Sequence, residues 1–117
     1  MELLKKPHEI KLLYQPEGNA GCFATNRITV DGEKVGYMYR ELPDEDSHFP
    51  DSGWRFFAGD ESDEYLAVVE HIHIYHLNTV VNYDPAIMAY LNAPYGTAWV
   101  RQGDVFVSEE LVVPNIE

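Results

Sequence analysis

The segment Asp51-Ser52-Gly53-Trp54-Arg55-Phe56-Phe57-Ala58-Gly59-Asp60-Glu61 constrains this chain more than any other. Gly53 and Gly59 bracket a run of bulky residues, and glycine reaches backbone angles that a Cβ forbids, so a strand can be entered and left sharply at both points. Side chains alternate across a strand, which puts Trp54 and Phe56 on one face and Arg55 and Phe57 on the other. A large aromatic on each face predicts an interior strand rather than an edge. No catalytic constellation is recognisable within the stretch, so it describes a fold and a surface charge before it describes a chemistry.

The neighbouring segments supply partners for that strand. Arg27-Ile28-Thr29-Val30 and Val35-Gly36-Tyr37-Met38-Tyr39-Arg40 alternate, and Asp31-Gly32-Glu33-Lys34 between them predicts a hairpin in which Val30 faces Val35 and Ile28 faces Tyr37. Residues 97–101 and 105–107 predict a second hairpin about Gln102-Gly103-Asp104. Residues 71–77 alternate as a strand, and residues 10–14 are a shorter candidate. Asp60 or Ser62 is placed to cap a helix carrying Tyr65, Leu66 and Val69 on one side, and the acids in its first turn complement the positive end of the helix dipole. Asp84-Pro85 opens another helix, with Ile87, Met88 and Leu91 as its buried stripe. A last docked segment is expected in the tail, around Leu111, Val112 and Val113. The pattern predicts an α+β fold, a mainly antiparallel β-sheet built from hairpins with two short helices packed on it, as one domain over residues 1–117.

Charge is the second constraint. Twenty Asp and Glu stand against eight Lys and Arg, a net charge of -12. Nine of the acids, Glu41, Asp44, Glu45, Asp46, Asp51, Asp60, Glu61, Asp63 and Glu64, fall within residues 41–64, where Arg55 is the sole strong base. Such a field repels nucleic acid and anionic membrane and steers a basic partner inward. Solubility alone is the plainer reading of the same charge. At 45% apolar and 13% aromatic the chain has ample material for a core, and a chain of this size buries ~65% of its unfolded surface. Cys22 is the only cysteine, which excludes an internal disulfide and suits a reducing, cytoplasmic setting. Lys5 and Lys6 are not followed by an apolar h-region, so no signal peptide is expected. The apolar runs fall far short of a membrane span.

Chemistry-bearing residues are few. His71 and His73 project from one face of the predicted strand, and His76 lies near its end; three imidazoles are a donor set that zinc or nickel accepts. Two histidines at strand spacing also make an ordinary polar face, no Cys pair accompanies them, and His76 has the opposite parity. Asp60-Glu61-Ser62-Asp63-Glu64 lacks the central glycine and distal bidentate glutamate of a calcium loop. Ser52 and Cys22 lack the surroundings of catalytic nucleophiles and read as a turn serine and a small buried thiol. No catalytic residue and no cofactor are assigned. Tyr37, Tyr39, Trp54, Phe56 and Trp99 are expected to build the core; any of them left exposed beside the acids would form with them a protein-binding surface.

Taken together, Arg27-Ile28-Thr29-Val30-Asp31-Gly32, Val35-Gly36-Tyr37-Met38-Tyr39-Arg40-Glu41, the 51–61 block, Tyr75 with Leu77-Asn78-Thr79, Asn82-Tyr83-Asp84-Pro85 and Ala93-Pro94 with Gly96 resemble the immunity protein 33-like family of small bacterial proteins. The resemblance covers about residues 20–101. It implies an immunity protein of a toxin system and brings no catalytic residues with it. The family pattern does not require His71, His73 or His76.

Two readings follow. The first is a non-enzymatic acidic binding protein that neutralises a basic protein partner, a toxin, by occlusion, using Asp44, Glu45, Asp46, Asp51, Trp54, Asp60, Glu61, Asp63 and Glu64. The alternative is a small metal-dependent or metal-binding protein using His71, His73 and His76.

Overall fold

The computed structural model describes residues 2–109. Six strands form one sheet: β1 (Gly21–Thr25), β2 (Tyr37–Arg40), β3 (Asp51–Phe57), β4 (Ile72–His76), β5 (Thr97–Gln102) and β6 (Val105–Glu109). Their spatial order is β4-β1-β3-β2-β5-β6, and every pairing is antiparallel except that of β1 with β3. Three short α-helices, α1 (Asn26–Thr29), α2 (Asp63–Leu66) and α3 (Leu77–Tyr83), and a 3-10 helix over Pro85–Tyr90 accompany it. The architecture is α+β with a mostly antiparallel sheet, as the pattern predicts.

The aromatic strand lies between β1 and β2, in the interior of the sheet. Trp54 and Phe56 are fully buried and stack with ring centroids 5.9 Å apart. The Trp54 indole N–H donates to Leu91 O at 3.1 Å, so even its polar edge is satisfied inside. Around them gather Cys22, Ala24, Ile28, Met38, Leu77, Val80, Val81, Ile87 and Leu91. Truncating Trp54 or Phe56 to alanine opens a cavity that costs about 3–5 kcal/mol. Burial pushes the Cys22 thiol up, which keeps it protonated, a small apolar filler as read from the sequence.

Gly53 earns its place in the strand through φ +90° and a neighbour that leaves no room for a side chain: an added Cβ would lie 2.1 Å from Glu41 O. At this point the β1–β3 register is irregular, with Gly21 opposite Asp51 but Phe23 opposite Arg55. The extra length of β3 is a bulge, and it brings Asp51 and Arg55 together.

Local structure departs from the sequence pattern in several places, among them Val69, which lies beyond α2 and is 81% exposed rather than packed beside Tyr65 and Leu66. The segment Arg27-Ile28-Thr29-Val30 is not a strand: α1 takes its place, and the expected hairpin with Val35–Arg40 does not form, since β2 pairs with β3 and β5. Gly32, at φ +80°, is a helix stop, its N–H donating to Ile28 O while Glu33 N–H donates to Arg27 O. The helix buries Ile28 and Thr29, and the Thr29 hydroxyl meets the Tyr75 hydroxyl at 3.0 Å.

Residues 10–14 run extended without joining the sheet. Asn78 Oδ1 accepts the N–H groups of Leu13 and Tyr14 at 2.8 and 2.9 Å, and the amides of Asn78 and Asn82 both donate to Lys11 O at 2.8 Å. Two asparagines one helical turn apart thus replace a neighbouring strand.

Helix α3 begins where the predicted strand ends, because His76 Nδ1 accepts Asn78 N–H at 3.0 Å and caps it. The helix expected at Asp84-Pro85 is a 3-10 turn that buries Ile87 and Leu91 but leaves Met88 39% exposed, so the stripe is narrower than predicted. The cap itself holds, with Asp84 Oδ1 accepting Ala86 N–H at 3.1 Å. Ser62, not Asp60, caps α2, accepting Tyr65 N–H at 3.0 Å. The hairpin about Gln102-Gly103-Asp104 forms as β5 and β6. Leu111, Val112 and Val113 of the tail lie outside the described residues.

Candidate partner-binding surface

The two faces of β3 have opposite fates. The face carrying Trp54 and Phe56 is covered by α3 and the 3-10 helix, and the face carrying Arg55 and Phe57 is not part of the core cluster. On that second face the register places Tyr37 beside Phe57 and Tyr39 beside Arg55. The rings of Tyr37, Tyr39 and Phe57 lie 5.8 to 5.9 Å apart, with Tyr39 and Phe57 stacked at 13°. Tyr37 and Tyr39, expected in the core, are therefore half-buried members of a second aromatic cluster on the open side. Phe23, Tyr39, Phe57 and Ile72 line a shallow apolar cleft of about 310 Å³ on this side.

Arg55 anchors the centre. Its guanidinium donates to both carboxylate oxygens of Asp51 at 2.8 Å and to Glu41 at 2.7 Å, and lies 4.7 Å from the Phe23 ring centroid. Burial opposes charge on both partners. For Asp51 the hydrogen bonds from Arg55 and from Gly53 N–H outweigh that penalty and hold the carboxyl below the usual range. For Arg55 the bonds to Asp51 and Glu41 likewise win and raise its pKa. The pair is a structural element under the open face.

The nine residues singled out from the sequence separate into three groups. Trp54 and Asp51 are buried at 0% and 3% exposure; Trp54 is enclosed in the core, and Asp51 reaches only the floor of the depression that Asp44 lines. Glu61 and Asp60 lie at the end of the open face and are engaged within the chain: Glu61 accepts from the Thr25 hydroxyl and from the N–H groups of Ala58 and Gly59, and Asp60 binds Arg27. The Arg27 bond holds the Asp60 carboxyl below its ordinary value. Asp44, Glu45, Asp46, Asp63 and Glu64 are exposed, and among the described residues they form no ion pair. Asp44 also shapes its own loop by accepting Asp46 N–H at 2.9 Å.

These five carboxylates sit at the two ends of β3. Asp44 lines a depression with Phe23, Glu41, Leu42 and Arg55 before the strand, and Asp63 and Glu64 follow it on α2, whose Leu66 lines a second apolar depression with Tyr37 and Phe57. An aromatic sheet face is thus bounded by negative charge at both ends. Phe23 and Phe57 belong to this surface and were not among the candidates, and Glu41, named from the sequence only for its charge, joins them by its bond to Arg55.

The histidines do not converge. His71 Nδ1 meets Tyr65 O at 2.7 Å with its ring stacked on Tyr65, His73 Nε2 meets Glu70 O at 2.7 Å, and His76 caps α3. No group of three or more His, Cys, Asp or Glu among the described residues is arranged to hold a metal ion. Among those residues no helix is long and apolar enough to cross a membrane.

Fold and surface together define a small acidic α+β protein that offers an acid-bounded aromatic sheet face. The chain belongs to the immunity protein Imm33 domain family, whose model matches residues 22–109. The match covers the whole sheet except Gly21 and reaches β6, which the resemblance read from the sequence stopped short of. Membership gives the chain an immunity-protein role in general, and with it a toxin as partner. Neither the curated proteins nor the solved structures compared with the chain contain a match.

Proposed function

We propose that this protein is a non-enzymatic, cytoplasmic immunity protein that neutralises a basic toxin by covering it with the open face of its sheet. The observation that carries this reading is the position of the Tyr37, Tyr39 and Phe57 cluster between two segments whose carboxylates, Asp44, Glu45, Asp46, Asp63 and Glu64, are exposed and form no ion pair among the described residues. Aromatic side chains supply large contact area at small conformational cost, and interfaces are enriched in them. Carboxylates at the rim accelerate encounter with a basic surface and reject acidic competitors. The partner that fits is a positively charged protein with an apolar protrusion for the cleft beside Phe23 and Tyr39.

Amide hydrogen exchange of the complex with a cognate toxin locates the interface. Protection on β2, β3 and residues 42–47 is expected. Protection confined to α3 and Pro85–Tyr90 would remove the reading.

A further inference from the structure

On the other side of the sheet a cavity of about 490 Å³ opens between the residues before β1 and the end of the 3-10 helix. Its size falls in the ~300–1,000 Å³ range of small-molecule sites. Arg40 lines it, together with Tyr14, Glu17, Asn92 and Tyr95. Leu77 and Leu91 of the core are also in its wall.

Arg40 is unlike the other arginines. Arg27, Arg55 and Arg101 each pair with a carboxylate, whereas among the described residues Arg40 pairs with none. In a chain with twenty acids and eight strong bases, a guanidinium without a carboxylate is conspicuous. Its Nε donates to Ser52 O at 2.9 Å and its Nη1 to Ala93 O at 2.8 Å, and its central carbon lies 4.3 Å from the Tyr95 ring centroid. These contacts fix the plane of the group without neutralising its charge. A guanidinium has five N–H donors, and two carbonyls leave the rest of the fork unused.

We infer that this cavity binds a small carboxylic acid with an apolar body, its carboxylate on the unused donors of Arg40 and its body between Tyr14 and Tyr95. Arginine matches a planar carboxylate with two parallel hydrogen bonds, and one positive charge balances one negative charge. Phosphate is a poorer match, because Glu17 shares the cavity and the whole chain repels a dianion. The wall from Tyr14 to Asn19 precedes the family-matched residues 22–109, so the preference for one acid over another lies in this chain's own leading segment. The site faces away from the aromatic surface and stands whether or not that surface binds a toxin.

An NMR titration of the intact chain with benzoate, and separately with inorganic phosphate at matched ionic strength, tests the assignment. Benzoate is expected to produce saturable shifts at Tyr95, Asn92 and the Arg40 Nε–H with a Kd near ~1 mM, and phosphate is expected to produce none. Asn92 is exposed, so Asn92→Asp leaves the Arg40 contacts in place and weakens benzoate binding by about fivefold or more through like charge. Arg40→Gln abolishes binding if it folds; if it does not, Asn92→Asp decides. Shifts that stay linear to about 50 mM benzoate, equal binding of phosphate, or unchanged affinity in Asn92→Asp would each overturn the inference.

Discussion

Arg55 and Asp51 face each other across the bulge at Gly53, two parallel hydrogen bonds of 2.8 Å joining them in an ion pair with 9% and 2% of their side chains exposed. A pair so removed from water is costly to break, because the surviving charge has no solvent to turn to. Asp51→Ala is expected to cost about 3–5 kcal/mol in urea unfolding. Glu41, the second carboxylate on Arg55, is 46% exposed, and Glu41→Ala is expected to cost no more than about 1 kcal/mol.

The same pair sets an acid limit. The folded-state pKa of Asp51 is lowered, so its contribution is fully present above the unfolded value of about 3.9 and is lost as pH falls through the lower folded value. Stability should be level from neutral pH down to about 5 on this account and decline below about 4. In Asp51→Asn that acid decline should be shallower than in the natural chain, measured by unfolding at a series of pH values.

Gly53 and Gly103 both have positive φ, but only Gly53 has backbone in the way of a side chain. Gly103→Ala is expected to cost about 1–2 kcal/mol, the left-handed penalty alone. Gly53→Ala carries that penalty plus displacement of Glu41, and should lower the thermal midpoint clearly more than Gly103→Ala does.

Asn78 holds the leading segment by its side chain rather than by a sheet ladder. Replacing it with leucine should leave the amides of β3 protected and speed hydrogen exchange at Leu13 and Tyr14 by about tenfold or more. Equal acceleration throughout the sheet would mean that the segment is not a separately held unit.

His71, His73 and His76 each serve a backbone group, so chelator should not lower the thermal midpoint, and elemental analysis of untagged protein should find less than about a tenth of an equivalent of transition metal. A chelator-induced loss of stability would restore the metal reading.

What was legible in the sequence was local. The two glycines and alternating bulk around Trp54 announce an interior strand, Asp60 or Ser62 and Asp84-Pro85 announce helix starts, and Gln102-Gly103-Asp104 announces a turn, each through residues within a few positions of one another. What stayed hidden depended on distant partners. Asp31-Gly32 is equally good chemistry for a hairpin and for a helix stop, and burial of Ile28 and Thr29 decides for the helix. Both faces of β3 carry aromatics, so the strand alone could not say which side the helices cover. Trp54 reads both as a core residue and as a surface candidate, and the fold keeps it in the core, whereas Tyr37 and Tyr39, read as core, lie on the open face. The acids are visible as a run, but that Asp51 lies inside, that Asp60 and Glu61 are engaged and that five others form no ion pair among the described residues follows only from the fold.

On the proposed reading, flanking charge guides a basic partner to the aromatic face. Stopped-flow association with a cognate toxin, across a range of salt concentrations, measures that directly in the natural chain and in a variant with Asp44, Glu45 and Asp46 all changed to Lys. The natural chain should associate ~10- to 10³-fold faster at low salt, and the triple variant should lose both that advantage and the salt dependence. Identical rates and identical salt slopes for the two proteins would contradict it.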